Sequence, residues 1–261
     1  MAPIIKELEE SNWAEVIVIR TSQHKELLDD VLNIFEIKPS FDLEIMRPNQ
    51  DLGELTAKII SEFSILMKKI KPRIVLAQGD TTSAMAAALV SFYNKIKFGH
   101  VEAGLRTWDI YNPFPEEVNR SLISKLATFH FAPTNFSRDN LLKENINPKN
   151  IFVCGNTVID ALLQTAAIDY KSDINTKKKF ILITVHRREN FDKLKSIFEG
   201  LKISAIKNKN LNYIFPVHPN PNINDIAKEY FSSLDNFILS KPLNYINFVT
   251  LMKKSFFIVS D

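Results

Sequence analysis

The sequence predicts an α/β protein with two doubly wound domains, each built on a parallel sheet. Short β-branched or apolar runs alternate with longer amphipathic segments along almost the whole chain, which is typical of βαβ units. The run at 73–77, RIVLA, is apolar without interruption, as expected for a strand buried on both faces of a parallel sheet. The lysine- and asparagine-containing segment 171–179 lacks periodicity and reads as a linker. We therefore expect an N-terminal α/β domain at 1–170 and a partial C-terminal one at 171–261.

The N-terminal domain starts with a helix at 3–10, where Pro3 precedes an apolar face, and a β-branched strand at 15–20. Helical spacing of apolar residues predicts a long helix at 52–70, and small residues predict another at 83–93. Pro115 and the two acids after it are a typical helix start, at 116–126. The remaining elements are helices at 25–34, 135–144 and 157–170, and strands at 41–45, 73–77, 98–101, 128–132 and 151–153.

The alternation starts again after the linker and continues to the last residue. The predicted elements are strands at 180–184, 212–217, 237–239 and 256–259, and helices at 191–207, 223–230 and 245–253.

Composition excludes several classes of protein. The net charge of +3 over 261 residues, with lysines spread along the chain, is not the footprint of a nucleic-acid-binding protein. No run approaches the ~20 apolar residues of a spanning helix, and the start lacks a secretory pattern. The single Cys154 excludes an intramolecular disulfide framework and favours a reducing compartment. We expect a cytoplasmic protein with neither a nucleic-acid nor a membrane partner.

Motifs for common cofactors are missing from the sequence. There is no GxGxxG and no GxxxxGK[ST], so neither a dinucleotide fingerprint nor a P-loop binds phosphate. No two histidines or cysteines have the spacing of metal ligands. We therefore predict no metal and no cofactor.

Carboxylates follow two successive predicted strands, at the edge where open parallel sheets bind ligands. Asp80 follows the strand at 73–77, and Glu102 follows the strand at 98–101. If these strands are neighbours, about 4.8 Å apart, the two carboxylates can share one pocket. Glu116, which opens the next helix, can add a third. Paired carboxylates in unlike surroundings can divide the roles of general acid and general base.

Simpler interpretations of these residues stay open from the sequence alone. The segment 98–120 can be a solvated loop with surface ion pairs. Asp80 can cap the following helix. Glu102 can pair with Arg106 for structure, and His100 either orients Glu102 or only packs.

A second polar cluster follows the strand at 180–184. His186, Arg187 and Arg188 together suit a phosphate or diphosphate, although a surface charge run is the alternative. His218 follows another strand of the same domain.

Several segments, in this order, resemble the non-hydrolysing UDP-N-acetylglucosamine 2-epimerases: QGDTTSAMAAALVSFY, GHVEAGLRT, PFPEEVNR, APT, GNTVIDALL, HRREN and PVHPNP. The resemblance covers essentially the whole chain, and HVEAGLRT followed closely by PEEVNR is highly specific. It implies two Rossmann-like domains of the GT-B type with the active site in the cleft between them. It also implies a homodimer and reversible conversion of UDP-N-acetylglucosamine to UDP-N-acetylmannosamine for cell-surface polysaccharide biosynthesis.

The resemblance also implies roles for individual residues. Asp80 and Glu102 match the proton-transfer pair, with Glu116 assisting. The implied UDP-binding residues are His186, which also stabilises charge on the departing UDP, Arg187 and His218. The positions implied for a second, activating UDP-N-acetylglucosamine are Gln23, His24 and Arg47.

The sequence departs from that family's pattern at both ends. Family members have a GTRPE-type loop before the first segments and a Ser-Gly-Gly segment after the last, and neither is present here. We therefore expect both domains to be incomplete, and the chain to bind UDP weakly or not at all. The alternatives are an inactive UDP-sugar-binding remnant, a GT-B glycosyltransferase and a hydrolysing epimerase.

Overall fold

Two α/β units make up the chain, one spanning Met1–Ala161 and the other Leu162–Asp261. The structure is a computed structural model that describes residues 1–21, 25–47, 50–174, 177–185, 193–217 and 221–261. The predicted division at 170/171 falls inside the second unit, where Asn247 donates to Asp173 Oδ2 over 2.8 Å. That predicted division stays a prediction.

The first unit alternates helices and strands as the sequence predicts. Its helices are α1 (Ala2–Glu10), α2 (Lys25–Ile34), α3 (Leu52–Ile70), α4 (Thr82–Tyr93), α5 (Glu116–Leu126), α6 (Asn135–Lys143) and α7 (Thr157–Ala167), the last of which continues into the second unit. Its strands are β1 (Ile19–Arg20), β2 (Phe41–Asp42), β3 (Ile74–Gln78), β4 (Lys97–Val101), β5 (Phe129–Ala132) and β6 (Ile151–Val153). A short 3₁₀ helix, Pro148–Asn150, precedes β6.

A parallel four-stranded sheet in the order β3-β4-β5-β6 is the centre of this unit. β1 and β2 form a separate parallel pair. These two strands are shorter than predicted, because the strand pairing covers only Ile19 with Phe41 and Arg20 with Asp42. Small residues let α4 pack closely on the sheet: Ala84 and Ala88 lie in one buried cluster with Phe98 and Ile123.

The second unit has its own parallel sheet and its own core. Its elements are β7 (Phe180–Thr184), α8 (Leu194–Lys207), β8 (Asn212–Pro216), α9 (Pro221–Phe231), β9 (Phe237–Ser240), α10 (Tyr245–Lys254) and β10 (Phe257–Ser260). The strand order is β10-β7-β8-β9, so the order reverses beside β7. Buried aromatic rings fill the core: Phe198 contacts both Phe215 and Phe231, and Tyr213 stacks on Phe237.

Within the described ranges, no helix combines the length and the apolar character needed to cross a bilayer. The longest, α3, buries one face through residues such as Ile59 and Phe63 and has Lys68 and Lys69 in its last turn.

After β4 the chain packs so closely at Gly104 that there is no space for a side chain. Its φ of +88° is rare for L side chains, and a Cβ there would lie 2.2 Å from the Ser137 carbonyl oxygen. We expect Gly104→Ala to lower the free energy of unfolding by about 2 kcal/mol or more, as for overpacking with backbone strain. Urea titration followed by circular dichroism measures this loss.

Gly200 provides the matched control. It lies in α8 with nothing within 4 Å of a Cβ, so Gly200→Ala should be neutral or stabilise by about 0.5–1 kcal/mol. A Gly104→Ala chain as stable as wild type would contradict the packing described here.

Candidate active site

The strands that precede Asp80 and Glu102 are direct neighbours, which confirms the expectation on which the candidate site depends. β3 and β4 pair in parallel, with Gln78 opposite Val101. Asp80 lies two residues beyond the end of β3, and Glu102 lies one residue beyond the end of β4. Both carboxylates therefore leave the sheet at the same edge.

Gly79 joins the two strand ends through two hydrogen bonds. Its amide donates to the Val101 carbonyl over 3.0 Å, and its carbonyl accepts from His100 Nε2 over 2.8 Å. Its φ of +80° is a conformation for which glycine is favoured. The chain thus turns at Gly79 in a position that is fixed against β4 on both sides.

His100 fixes this turn as a neutral imidazole. Its side chain is 1% exposed, and burial lowers its pKa to about 4, although the hydrogen bond to Gly79 opposes that effect. A carbonyl oxygen can only accept, so Nε2 carries the proton. Nδ1 has no partner among the described residues. Of the two interpretations open from the sequence, orienting Glu102 or packing, the structure shows a buried histidine that holds the neighbouring turn.

Glu102 lies between two side-chain amides. Its Oε1 accepts from Asn156 Nδ2 over 2.8 Å, and its Oε2 accepts from Gln78 Nε2 over 3.5 Å. Its φ is +66°, in the left-handed region that non-glycine residues seldom occupy. The carboxylate lies above the turn, since Oε2 would be 3.8 Å from a Cβ on Gly79.

The alternative pairing of Glu102 with Arg106 is wrong. The side chain of Arg106 is fully buried and forms an ion pair with Glu144, with 2.5 Å between Nε and Oε1. It also donates to Ser124 Oγ over 2.6 Å. These contacts hold the start of the loop after β4 to α5 and to the end of α6.

Asp80 is paired with a cation instead. Its Oδ2 accepts from Arg120 Nε over 2.9 Å and lies 2.7 Å from Nη2. Its backbone carbonyl accepts from Asn119 Nδ2 over 2.8 Å. The alternative that Asp80 caps α4 is wrong, because the N-cap is Thr81, whose hydroxyl accepts from the Ala84 amide over 3.2 Å.

Glu117 connects α5 to the loop after β4, a role that sequence reasoning missed. It is 2% exposed, accepts from the Trp108 amide over 3.0 Å, and pairs with Arg120 over 3.0 Å. Burial would raise the pKa of Glu117, but hydrogen bonds from the Trp108 and Thr107 amides and from Arg120 outweigh it and lower the pKa. The sequence did carry a signal for this role in the acidic doublet Glu116–Glu117. Adjacent residues of a helix point in different directions, so the two carboxylates could not both face the same surroundings.

Glu116, the other member of the doublet, is partly exposed and makes no hydrogen bond or ion pair within the described ranges. It lies one helical turn before Arg120, so both belong to the same face of α5. Because Arg120 binds Asp80, this face is directed toward the end of β3.

The remaining predicted site residues are six, and Arg47 is the one that lies within the described ranges. Five of them lie outside the described residues: Gln23, His24, His186, Arg187 and His218. Arg47 is exposed, and its backbone amide donates to Gln50 Oε1 over 3.2 Å. Their roles stay predictions. Within the described ranges, no group of three potential metal ligands is found.

Asn156 is a further residue at this edge that sequence reasoning missed. It follows β6, in a segment that was noted only as part of GNTVIDALL, and it contacts Glu102 directly. The signal was its position after a strand of the same parallel sheet.

Glu117 also gives a pH dependence of stability. Its lowered pKa means that its contribution is fully present above about 4.5, its ordinary value, and is lost as pH falls below it. We expect Glu117→Gln to lower the free energy of unfolding by roughly 2 kcal/mol near neutral pH. That difference from wild type should shrink as pH falls below about 4.5, which urea titrations at several pH values would show.

Glu116→Gln is the matched control, because Glu116 has no partner in the described part of the chain, and it should change stability by less than about 0.5 kcal/mol. A loss in Glu117→Gln that does not vary with pH would contradict the assigned hydrogen bonds.

Comparison with known proteins gives the relationship of the chain. The sequence model of a family described as UDP-N-acetylglucosamine 2-epimerase matches residues 6–261. The UDP-N-acetylglucosamine 2-epimerase of Campylobacter jejuni is 47% identical over 279 aligned positions, which cover 100% of this chain and 72% of that protein.

Solved structures show the same similarity. UDP-GlcNAc 2-epimerase from Neisseria meningitidis, bound to UDP-GlcNAc, is 44% identical with a TM-score of 0.88. The match covers 100% of this chain and 74% of the Neisseria chain. A structure from Listeria monocytogenes, described as a putative UDP-N-acetylglucosamine 2-epimerase, is 39% identical with a TM-score of 0.91. That match covers 100% of this chain and 70% of the Listeria chain.

The predicted fold class, two Rossmann-like α/β domains of the GT-B type, is confirmed. The chain belongs to the UDP-N-acetylglucosamine 2-epimerase family.

Proposed function

We propose that the chain interconverts UDP-N-acetylglucosamine and UDP-N-acetylmannosamine by inverting C2 of the sugar. One observation carries this proposal. In a chain that matches the epimerase family over residues 6–261, Asp80 and Glu102 leave adjacent parallel strands at the edge where such sheets bind ligands. The relative from Neisseria meningitidis was solved with UDP-GlcNAc, which supports a UDP-sugar as the substrate.

The reaction is an elimination followed by re-addition. A base removes the C2 proton, the C2–H electron pair forms a double bond to C1, and the C1–O bond breaks. UDP leaves with the electron pair of that C1–O bond. The intermediate is 2-acetamidoglucal. A proton then adds to C2 from the opposite face, and the UDP oxygen re-forms the bond to C1. This sequence is redox-neutral and needs one base and one acid on opposite faces of the sugar.

Asp80 and Glu102 are suited to the two roles because their surroundings differ. Glu102 is held by neutral amides from Gln78 and Asn156, whereas Asp80 is held by the Arg120 guanidinium. We assign proton transfer to this pair. Glu116, on the α5 face that carries Arg120, assists.

Binding of UDP belongs to the second unit in this proposal. The strand order reverses beside β7, and open α/β sheets bind ligands outside the carboxyl ends of strands at such a point. His186 and Arg187 follow β7 in sequence, and His218 follows β8. We propose that these residues bind the diphosphate and that His186 stabilises its developing charge.

Three further proposals concern the context of the enzyme. They are a cytoplasmic location, a homodimer, and binding of a second, activating UDP-N-acetylglucosamine by Gln23, His24 and Arg47.

Proton exchange at C2 tests the proposed reaction. The chain is incubated with UDP-N-acetylglucosamine in D₂O and followed by NMR. We expect deuterium at C2 with the UDP linkage kept. Release of UDP with free sugar would instead indicate a hydrolysing epimerase, and transfer of the sugar to an added acceptor a glycosyltransferase. No exchange would contradict the proposal and favour a binding remnant.

The same assay tests the proton-transfer pair. Asp80→Asn and Glu102→Gln should each slow exchange by about 10²-fold or more, because each removes a group that transfers a proton. Glu62→Gln, on an exposed position of α3, is the control and should exchange at the wild-type rate. A loss of only a few-fold would remove that residue from the assigned role.

A further inference from the structure

Asn156 reaches the candidate site from a third strand of the first sheet. β6 pairs in parallel with β5, and Val153, its last residue, lies opposite Ala132. Asn156 follows β6 and precedes α7, so it leaves the sheet at the same edge as Asp80 and Glu102. It is therefore placed beside the carboxylates by the topology of the sheet and not by a local sequence motif.

Two hydrogen bonds define the orientation of the Asn156 amide. Its Oδ1 accepts from the Val158 amide over 3.0 Å, in the first turn of α7. Since the oxygen is used there, Nδ2 is the atom that faces Glu102, and it donates to Oε1 over 2.8 Å. Because the start of α7 holds the Asn156 amide at its oxygen, its NH₂ group points in a fixed direction.

Glu102 needs such a support. Its backbone is in the left-handed region, which costs free energy for a non-glycine residue and persists where surrounding contacts hold it. Gln78 approaches the other carboxylate oxygen at 3.5 Å, a longer and weaker contact than the one from Asn156. Asn156 thus makes the shorter of the two amide contacts to this carboxylate. Because an amide is neutral, it directs the carboxylate without adding a formal charge.

We propose that Asn156 is a positioning residue for catalysis, which fixes the Glu102 carboxylate for proton transfer at C2. This inference rests on the proposed function. Asn156 acts through Glu102 and takes no proton itself. A displacement of a reacting group by about 1 Å can slow an enzyme by about 10²-fold, so loss of this contact should be visible in turnover.

The substitution Asn156→Asp removes the hydrogen bond that Asn156 donates to Glu102 but keeps the one that it accepts at the start of α7. Aspartate keeps an oxygen for the Val158 amide, so α7 should still begin correctly. However, the substitution replaces the donor Nδ2 by a carboxylate oxygen that faces Glu102, and the two like charges repel at this distance. We expect kcat to fall by about 10- to 100-fold with KM little changed, since the reacting group is misplaced.

A kinetic isotope effect distinguishes positioning from a loss of folded protein. With substrate deuterated at C2, the isotope effect on kcat should be larger in Asn156→Asp than in wild type, because proton transfer becomes more fully rate-limiting. A structural defect lowers the active fraction and leaves the isotope effect unchanged.

Asn147 offers a matched control. It is exposed, and its Oδ1 accepts from the Lys149 amide over 3.0 Å, the same contact two residues ahead that Asn156 makes. It has no contact with the carboxylates of the site in the described part of the chain. Asn147→Asp should keep wild-type kcat and isotope effect.

The outcomes separate the two proposals. Wild-type kcat and isotope effect in Asn156→Asp would overturn the role of Asn156, whereas a wild-type chain that exchanges no C2 proton would contradict the proposed function. The contact itself is measurable without turnover, by NMR of the side-chain amides in the ¹⁵N-labelled chain. The Asn156 signal should shift in Glu102→Gln, and an unchanged signal would also overturn the inference.

Discussion

The pairing of β3 with β4 is the constraint on which the rest of the candidate site depends. Parallel pairing brings the ends of both strands to one edge, and Gly79 then bonds to β4 through both its amide and its carbonyl. The second of these bonds comes from a buried His100, and burial keeps that imidazole neutral by lowering its pKa. Because the turn is fixed, Asp80 and Glu102 leave the sheet in defined directions.

The two carboxylates differ in the groups that hold them. Arg120 binds Asp80 and also Glu117, so one guanidinium joins the end of β3 to α5 and, through Glu117, to the loop after β4. Glu102 is held by amides that arrive from β3 and from the start of α7. Partners from α5, β3 and the start of α7 therefore hold the two acidic side chains, and each carboxylate has a distinct set of partners. Such a difference is what an acid and a base acting on one carbon atom need.

Periodicity predicted most of the fold, because strands and helices of an α/β unit differ clearly in apolar spacing. Strand length in β1 and β2 was predicted too long, since pairing and not β-branching decides where a strand ends.

In the site, the adjacency of Asp80 and Glu102 follows from strand order, which the chain order suggested. The partners do not follow: Arg120 for Asp80 and Asn156 for Glu102 are 40 and 54 residues distant in sequence. Long-range side-chain contacts of this kind have no local pattern.

In the proposed reaction, Asp80 and Glu102 act on the same carbon atom of the sugar. A crystal structure of the chain with UDP-N-acetylglucosamine bound would show whether they do. We expect C2 of the sugar within about 3.5 Å of one carboxylate, with the other carboxylate on the opposite face of the ring. A sugar bound away from both carboxylates, or both carboxylates on the same face, would contradict it.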